Sequence, residues 1–580
     1  MRNRYFDVLK AIAIIAVVLY HLGTCEYGYL GVDIFLVIAG FFTFQSVEKH
    51  VVNKGGYLWF VENRVFRLWP LLLLAGVMCL GWGWLMMMPD DFENTAQSIV
   101  ATNFFGNNVL QSITTKNYWD VVNEYKPLMH TWYVGLIMQF YIIVPMLLFA
   151  VGRWVKDTDK RKKVNITLMA LMGMASLVGY LTEGNATAKF YYLPYRLYEF
   201  CAGGLVFYLF GNVQRIQDKI VWTNIGFVIV YLAVVALLFV DAEYVSRPAK
   251  LLSTVALSSA LMVLMPRVEW AQGKVFSNKW VAAIGTASFS IFVWHQVVLA
   301  LIRYSFTNKL TEVLPLLAFF GITAVLSVFS YRYVEQMKKT KFTWVLTGLM
   351  LVVTTGASLY IYKNAGVVRD VPELEVVKGN VHRGMWAEYC DRVKWYDRDY
   401  PKTDKTKWYV IGNSFGRDLV NIILESPIAD KVEIGYSESL DNRKHRLREA
   451  DVVFISTKGV TEELIEKVKS MLEDHTKLYV VGEKNFGENN GQVYRHRFED
   501  DYLQLTVEME DGYDEMNKRL RKKYADIYID MIAMVQKQDG RMPVFSDDGR
   551  FISQDCRHLT KAGAQYYAKL MDWNRFLERR

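Results

Sequence analysis

Cysteine and histidine are scarce in this chain, which limits the metal sites and disulfides it can form. There are 5 cysteines and 9 histidines in 580 residues, and no Cys/His spacing is typical of a bound metal. We therefore predict no metal. Cys390 and Cys556 are the only cysteines in the polar C-terminal part. A disulfide between them and two free thiols are both open, because an oxidising compartment permits either.

Charged residues are also few, at 22% against 52% apolar residues, and they are unevenly distributed. Residues 1–362 are mostly long apolar runs, whereas residues 370–580 are rich in Lys, Arg, Asp and Glu. The chain is too long for one ordinary core. The formal charge of +8 does not indicate a nucleic-acid partner, because much of the basic excess flanks apolar runs, where membrane topology explains it.

About eleven apolar segments are long enough to span a bilayer. They lie near residues 7–22, 29–46, 69–88, 129–151, 165–182, 192–211, 221–240, 250–266, 280–302, 313–334 and 342–362. The first resembles a signal peptide, but no small-residue cleavage site follows cleanly and many spans come after it, so we expect it to be retained. The predicted fold of this half is a polytopic all-α membrane domain, with a domain boundary near residue 335 and an additional helix over 336–362.

Lysine and arginine predict how the chain crosses the membrane. Loops 47–68, 152–164 and 335–341 are rich in these residues, and the intervening loops 89–128 and 241–249 are poorer. The positive-inside rule therefore places the N-terminus in the cytoplasm. An odd number of spans puts residues 363–580 outside. We predict a multi-pass protein of the bacterial cytoplasmic (inner) membrane, with a periplasmic or extracellular C-terminal domain.

Ionisable side chains within or at the ends of spans are costly, and they are functional candidates for that reason. The group toward the cytoplasmic side comprises Asp7, Lys10, Arg64 and Arg67, and the group toward the outer side comprises His21, His130, Arg196, Glu199 and His295. Inner cations suit an anionic cytoplasmic donor, while the outer groups present a reactive centre.

Ordinary structural roles also fit these residues one by one. A histidine at a helix end is more often interfacial than catalytic. Arg64 and Arg67 alone are typical of topology determinants, and Arg196 and Glu199 have the i,i+3 spacing of a structural ion pair.

Several short stretches occur in the order typical of one family. They are residues 6–11 with His21, 31–41, 64–70, 130–132, 139–141, 196–200 and 290–295. Together they resemble the acyltransferase-3 family of membrane glycan acyltransferases over about residues 1–335. The resemblance implies an O-acyltransferase that takes its acyl group, commonly acetyl, from acyl-CoA, with His21 as the key acyl-transfer residue.

Two positions depart from the family pattern. Lys10 stands where an arginine usually precedes the first-span histidine by eleven residues, and it keeps the charge but loses bidentate geometry. Ile137 and Met138 stand where an acidic residue usually precedes Gln-Phe-Tyr. These departures bear on donor affinity or rate more than on the fold.

Residues 408–580 alternate apolar strands and helices. We predict strands at 408–413, 431–436, 451–457, 477–482 and 526–532, and helices at 460–475, 512–523 and 560–577. This pattern indicates an α/β/α sandwich with a parallel sheet, joined to the membrane half by a linker over 363–407. Reactive loops of such sheets collect at the carboxyl ends of the strands.

Two short pieces of this half have complementary chemistry. Ser414 follows the first predicted strand, and Asp555 and His558 stand just before the last predicted helix. A serine needs a histidine to take its proton, and the histidine needs a carboxylate to fix its tautomer. We therefore predict Ser414 as nucleophile, His558 as base and Asp555 as the group that orients it. A plain strand-to-helix turn would explain Ser414 alone.

Gly412-Asn413-Ser414 and Asp555-x-x-His558 resemble the first and last motifs of the SGNH hydrolase family, with Asn413 in place of the usual aspartate. The resemblance implies a serine acyl-enzyme with an oxyanion hole. The candidate oxyanion donors are Asn485, after the fourth predicted strand, and Gly435, near the end of the second.

Three functions are open at this point. One is an O-acetyltransferase that moves an acyl group from cytoplasmic acyl-CoA through His21 and Ser414 to a glycan hydroxyl, of lipopolysaccharide O-antigen, capsule or peptidoglycan. The others are a membrane-anchored glycan esterase, for which one span would suffice, and a transporter, which leaves the Ser/Asp/His set unexplained. The expected partners are acyl-CoA, a surface glycan and the lipid bilayer, without metal or nucleic acid.

Overall fold

A computed structural model of the chain divides into two compact units. It describes residues 4–50, 55–114, 125–211, 220–240, 245–268, 278–306, 312–378, 385–440, 444–487, 490–553 and 555–577. Residues Met1–Leu85 and Asn94–Tyr360 form one unit, here called the membrane unit. Residues Met86–Glu93 and Ile361–Arg580 form the other, the C-terminal unit.

Helices build the described part of the membrane unit. They are α1 (Arg4–His21), α2 (Gly31–His50), α3 (Gly56–Met86), α4 (Pro89–Asn103), α5 (Asn107–Thr114), α6 (Trp132–Trp154), α7 (Thr158–Thr182), α8 (Ala186–Tyr191), α9 (Leu197–Phe210), α10 (Ile220–Phe239), α11 (Arg247–Leu264), α12 (Lys279–Thr286), α13 (Ser288–Ser305), α14 (Val313–Ser330) and α15 (Lys341–Lys363). A π-helical turn, Tyr331–Glu335, continues α14. The predicted all-α polytopic architecture is confirmed.

Eight of the described helices are long and apolar enough to cross a membrane, or nine if α12 and α13, bent by 69°, form one span. Two further predicted spans correspond to shorter or more polar helices. The helix α1 has 18 residues and includes Asp7 and Lys10, and α9 has 14 residues. The count of eleven, and with it the side on which the C-terminal unit lies, stays a prediction.

Close backbone contact between α2 and α9 explains two glycines of the membrane unit. A Cβ at Gly40 would lie 2.1 Å from the carbonyl oxygen of Phe200, and one at Gly203 would lie 1.9 Å from that of Val37. Small residues at such interfaces let membrane helices approach closely. These glycines therefore fix how α9, which carries Glu199, packs against α2.

The C-terminal unit is organised around a five-stranded sheet. Its strands are β1 (Thr406–Ile411), β2 (Val432–Ser437), β3 (Val452–Ile455), β4 (Lys477–Val481) and β6 (Tyr528–Ile529), and a separate antiparallel pair consists of β5 (Thr506–Val507) and β7 (Met542–Pro543). The main sheet has the order β2-β1-β3-β4-β6, and every pairing is parallel. The predicted parallel sheet is confirmed, and each of its strands overlaps a predicted strand.

Helices cover both faces of this sheet. They are α16 (Met385–Lys394), α17 (Ser414–Leu424), α18 (Lys444–Glu449), α19 (Glu462–Lys469), α21 (Tyr513–Lys523), α22 (Lys561–Leu570) and α23 (Asn574–Leu577). The short helix α20 (Asn490–Tyr494) belongs instead to a separate buried cluster that includes Phe551. Trp408 and Val410 of β1 join one buried cluster, whereas Tyr409 and Ile411 join another. Because side chains alternate along a strand, these clusters lie on opposite faces, which gives three layers.

Part of the stretch predicted as a linker packs onto the sheet domain. Val393 of α16 is fully buried in the core. The Tyr436 N–H of β2 donates to the Tyr396 carbonyl at 3.0 Å, and Arg446 pairs with Asp397 at 2.9 Å. These contacts belong to the C-terminal unit, so the residues before β1 extend its core.

Trp408 provides a test of this core, because it is fully buried against Phe454, Trp573 and Phe576. We expect Trp408→Ala to lower the free energy of unfolding of the C-terminal unit by about 3–5 kcal/mol, through lost burial and the cavity left behind. The measurement is pulse proteolysis of the full-length protein across a urea series.

A matched control is Trp395→Ala, because Trp395 is 65% exposed. It should change the free energy of unfolding by no more than about 0.5 kcal/mol. Equal effects of the two substitutions would contradict the assignment of Trp408 to the core.

Candidate active site

Ser414 lies at the first turn of α17, directly beyond the carboxyl end of β1. A Cβ at Gly412 would stand 1.7 Å from the Ser456 carbonyl oxygen after β3, so only glycine fits there. Asn413 caps the helix, since its side chain accepts the Phe415 N–H at 3.1 Å. Asparagine, like aspartate, is a favoured N-cap residue, so Asn413 suits this turn.

The structure brings Ser414, His558 and Asp555 together from opposite ends of the C-terminal unit. His558 Nε2 lies 3.2 Å from Ser414 Oγ, and His558 Nδ1 lies 2.5 Å from Asp555 Oδ2. The other carboxylate oxygen, Oδ1, accepts the backbone N–H groups of Arg557 and His558 at 3.0 and 2.9 Å. This is the nucleophile, base and orienting carboxylate arrangement predicted from the sequence.

Electrostatics fixes the tautomer of His558. Burial disfavours the charged form of Asp555, but the interaction with His558 and the hydrogen bonds from two backbone N–H groups outweigh this effect and lower the pKa of Asp555 to about 2. An ionised carboxylate only accepts hydrogen bonds, so Nδ1 of His558 donates to Asp555. The Nε2 atom is then the proton acceptor that faces Ser414.

Asn485 has the features of an oxyanion donor. It is fully buried beyond β4, and its Oδ1 accepts the N–H groups of Gly487 and Glu510 at 2.9 and 3.0 Å. These bonds fix the orientation of the amide. Within the described residues its Nδ2 has no hydrogen-bond partner. An oriented, unpaired donor of this kind is what a developing oxyanion requires.

The structure gives Gly435, the other predicted oxyanion donor, a packing role. It lies inside β2 opposite Tyr409, two residues before the strand ends. A Cβ there would approach the Tyr409 ring to 2.8 Å and the Tyr400 ring to 3.0 Å. The close rings account for glycine at this position without an oxyanion role.

Cys556 joins the Asn485 loop to the Asp555–His558 turn. Its φ of 91° lies in the left-handed region, and its carbonyl accepts the Phe486 N–H at 2.6 Å. The thiol is buried and free, so Cys556 forms no disulfide in this structure. Burial raises the pKa of the thiol well above its ordinary value, which keeps it protonated. The Cys390 side chain lies outside the described residues.

A buried ion pair beside the triad was missed from the sequence. Lys484 Nζ lies 2.7 Å from Asp418 Oδ2, and both side chains are nearly inaccessible. Asp418 stands one helical turn after Ser414, and Lys484 directly precedes Asn485. The available signal was their spacing from predicted catalytic residues, but a charge on a short helix or loop is usually solvent-exposed.

In the membrane unit the three predicted histidines form one cluster. The ring centroids of His21 and His295 are 5.2 Å apart, and those of His130 and His295 are 5.3 Å apart. His295 Nδ1 donates to the Phe292 carbonyl at 2.7 Å. Its buried Nε2 has no hydrogen-bond partner among the described residues, so this nitrogen is open to a hydrogen bond from a bound group.

The predicted donor-binding residues line two adjoining cavities of the membrane unit. The smaller cavity, of about 180 Å³, is lined by residues that include Lys10, Arg64, Arg67 and Phe292. The larger cavity, of about 660 Å³, is lined by residues that include Asp7, Lys10, Lys49, Arg67 and Lys339. Lys10 and Arg67 border both. Phe292 lines the smaller cavity, and its ring lies 4.9 Å from the His130 ring. The smaller cavity therefore extends toward the histidine cluster.

Specific contacts hold Arg64 and Lys10 in place. The Arg64 guanidinium lies 4.9 Å from the Phe60 ring centre and 4.7 Å from that of Tyr141, and Lys10 pairs with Asp7 at 3.5 Å. Cation–π contact orients a guanidinium without neutralising it. Arg64 therefore keeps its charge at the cavity wall.

Arg196 and Glu199 form a buried ion-pair network together with a third residue, Asp33, which was missed from the sequence. Arg196 lies 2.9 Å from Glu199 Oε1 and 2.5 Å from Asp33 Oδ1 on α2, and all three side chains are buried. The structure thus supports the structural interpretation of this pair, since it ties α9 to α2. Asp33 is part of the stretch 31–41 that carries the family resemblance, but only the structure shows its partner.

Comparison with known proteins gives a family match for the membrane half. The family model described as "Acyltransferase domain" matches residues 3–332 of the chain, which is more than half of its length. No solved structure matches the chain.

Curated relatives resemble the chain at about one quarter identity. A protein of Staphylococcus aureus (strain COL), provisionally named O-acetyltransferase SACOL0978, is 25% identical over 57% of this chain and 56% of its own length. The peptidoglycan O-acetyltransferase OatA of Listeria monocytogenes is 24% identical over 57% and 54%, respectively. The chain therefore spans about half the length of these relatives.

The triad geometry predicts covalent labelling of Ser414 by a fluorophosphonate probe. We expect the full-length protein to be labelled at this residue, and His558→Ala to slow labelling by about 10²–10⁴-fold, the usual contribution of a general base. Intact-mass and peptide mass spectrometry measure the site and the rate.

The control is His445→Ala, which removes a histidine that also pairs with a carboxylate, Asp399, at 2.7 Å. His445 is 52% exposed and should not affect labelling. Labelling that survives His558→Ala unchanged would show that the triad does not activate Ser414.

Proposed function

We propose that this chain, a membrane acyltransferase that belongs to the acyltransferase family matched by residues 3–332, is an O-acetyltransferase acting on a cell-surface glycan. It takes an acetyl group from cytoplasmic acetyl-CoA and transfers it to a sugar hydroxyl by way of Ser414. The observation that carries this proposal is the Ser414–His558–Asp555 triad in the same chain as the histidine cluster.

The charges around the two adjoining cavities support acyl-CoA as the donor. The larger cavity is lined by four cations, Lys10, Lys49, Arg67 and Lys339, and by two carboxylates, Asp7 and Glu335. Its cations therefore outnumber its carboxylates. Phosphate groups are recognised by such cations, and arginine can bind them bidentately. The smaller cavity suits the less polar acyl end of the donor, because its wall includes Phe35, Phe42, Phe289 and Phe292.

The histidine cluster supplies proton-transfer groups near that acyl end. The buried Nε2 of His295 faces no partner among the described residues, and the His21 ring lies next to it. In the proposed relay His21 is the key acyl-transfer residue, and His130 and His295 assist by accepting or returning its proton. The low-dielectric surroundings strengthen the electrostatic interactions among these groups.

In the C-terminal unit, which we propose to be an SGNH-like domain, transfer proceeds through a serine ester. Ser414 Oγ attacks the acyl carbonyl while His558 Nε2 takes its proton, and Asn485 Nδ2 stabilises the oxyanion. The bond between the acyl carbon and the group that delivered it then breaks, and that group leaves with the proton returned by His558. The glycan hydroxyl then attacks the acetyl-serine, gives its proton to His558, and the proton passes to Ser414 Oγ as the ester bond breaks.

Water competes with the glycan for the acetyl-serine. Ser414 is 2% and His558 1% exposed, so bulk water has little access to the reacting atoms. Exclusion of water from a reactive intermediate favours transfer over hydrolysis. We propose lipopolysaccharide O-antigen or capsule as the acceptor, with peptidoglycan, the substrate in the name of one relative, as the alternative.

The proposed location follows from the charge distribution. We place the N-terminus in the cytoplasm and the C-terminal unit in the periplasm or outside the cell, as the positive-inside rule predicts. This arrangement lets the cation-lined cavities meet a cytoplasmic donor while the serine meets a surface glycan.

The relay predicts an acetyl-serine derived from acetyl-CoA. Membranes that contain the full-length protein are incubated with isotopically labelled acetyl-CoA, and the label is located by intact-mass and peptide analysis. We expect label on Ser414, no label there in Ser414→Ala, and loss of label in His21→Ala because the donor step then fails.

The matched histidine control is His50→Ala, at the end of α2, where His50 Nδ1 donates to the Ser46 carbonyl at 2.8 Å and the ring packs against Trp59. It should keep the label. If His21→Ala still labels Ser414, the relay is wrong. If the wild type takes no label while Ser414 reacts with a soluble ester, the protein is an esterase.

The donor site predicts a second, independent effect. We expect Arg67→Gln to raise the KM for acetyl-CoA by about tenfold or more, as one lost charge-assisted contact should, because Arg67 borders both cavities. The control Lys156→Gln removes an exposed cation of the loop before α7 and should leave KM unchanged. Identical KM values in the wild type and Arg67→Gln would contradict the donor site.

A further inference from the structure

The three segments that carry the triad and the oxyanion amide meet at the buried ion pair Asp418–Lys484. The side chains of Lys484 and Asp418 are 2% and 5% exposed, and their Nζ and Oδ2 atoms are 2.7 Å apart. Asp418 belongs to the helix that begins with Ser414, and Lys484 belongs to the loop of Asn485. The pair therefore connects the nucleophile to the amide loop.

The same carboxylate holds the histidine segment. Asp418 Oδ2 also accepts the backbone N–H of Leu559 at 3.1 Å, and Leu559 directly follows His558. On the other side, the Lys484 ammonium lies 4.2 Å from the Phe415 ring centre. That ring packs against the His558 ring at 6.2 Å. Each of the three segments is thus fixed at a residue next to, or one turn from, its reactive residue.

We propose that Asp418 and Lys484 are positioning residues that set the separation of Ser414, His558 and Asn485 during acyl transfer. The inference rests on the proposed function of the triad. A buried ion pair is costly to desolvate, and replacing one by uncharged groups of similar size is often neutral for stability. Its directional bonds, by contrast, fix three neighbours at a site where a displacement of about 1 Å can lower the rate by about 100-fold.

The test uses purified full-length protein and hydrolysis of p-nitrophenyl acetate, a soluble ester that bypasses the membrane unit. The double variant Asp418→Asn/Lys484→Met removes both charges, keeps side chains of similar length and leaves an acceptor for the Leu559 N–H. We expect its unfolding midpoint to stay near that of the wild type. Its kcat should fall by about 10- to 100-fold, with little change in KM.

A pair with a merely structural role would behave differently, because the folded double variant would keep the wild-type kcat. That result overturns the proposal. If the double variant does not fold, Asp418→Glu decides, since it keeps the ion pair but lengthens one side chain by a methylene group. We expect a folded protein with a lowered kcat, and an unchanged kcat refutes the positioning role.

A matched control is the ion pair Arg392–Glu425 of the same unit, at 2.8 Å. It joins α16 to the residue after α17, about three turns from Ser414. Within the described residues the hydrogen bonds of the two side chains run to each other, Asn421 and Gln565, and none reaches Ser414, His558 or Asn485. The variant Arg392→Gln/Glu425→Gln should hydrolyse the ester with the wild-type kcat. An equal loss there would show that any ion pair in this unit matters, and would refute a specific role for Asp418 and Lys484.

Ser414→Ala separates this inference from the proposed function. If it abolishes ester hydrolysis while the Asp418/Lys484 double variant keeps the wild-type kcat, the positioning role is wrong and the triad stands. If Ser414→Ala hydrolyses the ester normally, the proposed function of the triad itself fails.

Discussion

The cost of leaving a polar group unpaired in apolar surroundings organises both units of this protein. Transfer of an isolated charge into a low-dielectric interior is prohibitive, so buried charges occur in pairs. In the membrane unit Arg196 is shared between Asp33 and Glu199. In the C-terminal unit Lys484 and Asp418 neutralise each other next to the serine helix. Each arrangement makes a charge tolerable and at the same time fixes the spacing of two segments.

Because buried polar atoms are normally paired, those without a hydrogen-bond partner are informative. Within the described residues, Asn485 uses its oxygen to hold two backbone N–H groups but leaves its Nδ2 without a partner, and His295 binds a carbonyl with Nδ1 but leaves Nε2 free. In both side chains one end is fixed and the other is unused. This is the expected preparation for an interaction that forms only with a substrate or a transition state.

The sequence predicts the C-terminal fold and triad well because both depend on local signals. Alternating apolar strands identify a parallel sheet, and its carboxyl edge collects the loops of Ser414 and Asn485. The Asp555-x-x-His558 spacing is itself local, so the turn that joins these residues is short. In the membrane half, apolar length and charge placement identify the helices and the histidines that cluster.

Outside the triad, the sequence does not predict which residues pair when they lie far apart along the chain. The pairing of Asp33 with Arg196 joins residues 163 positions apart, and the contact of Asp418 with Lys484 depends on how the serine helix meets the loop of Asn485. The role expected for Gly435 illustrates the same limit, because packing against Tyr400 and Tyr409 explains that glycine. A residue type in the right region is visible in the sequence, whereas the atom it touches is not.

The first helix restricts the kind of donor that can serve both ends of the membrane unit. Lys10 and His21 are eleven residues apart on α1, which corresponds to about 16 Å along the helix axis. A compact anion held at Lys10 would not reach the histidine cluster. The proposed donor, with an anionic head and a long, less polar arm, would satisfy both sites at once, since its charge would stay among the cations while its reactive end would pass the aromatic wall toward His21. Acyl-CoA has this shape, which is why the separation of the two polar groups, more than either group alone, favours it as the donor.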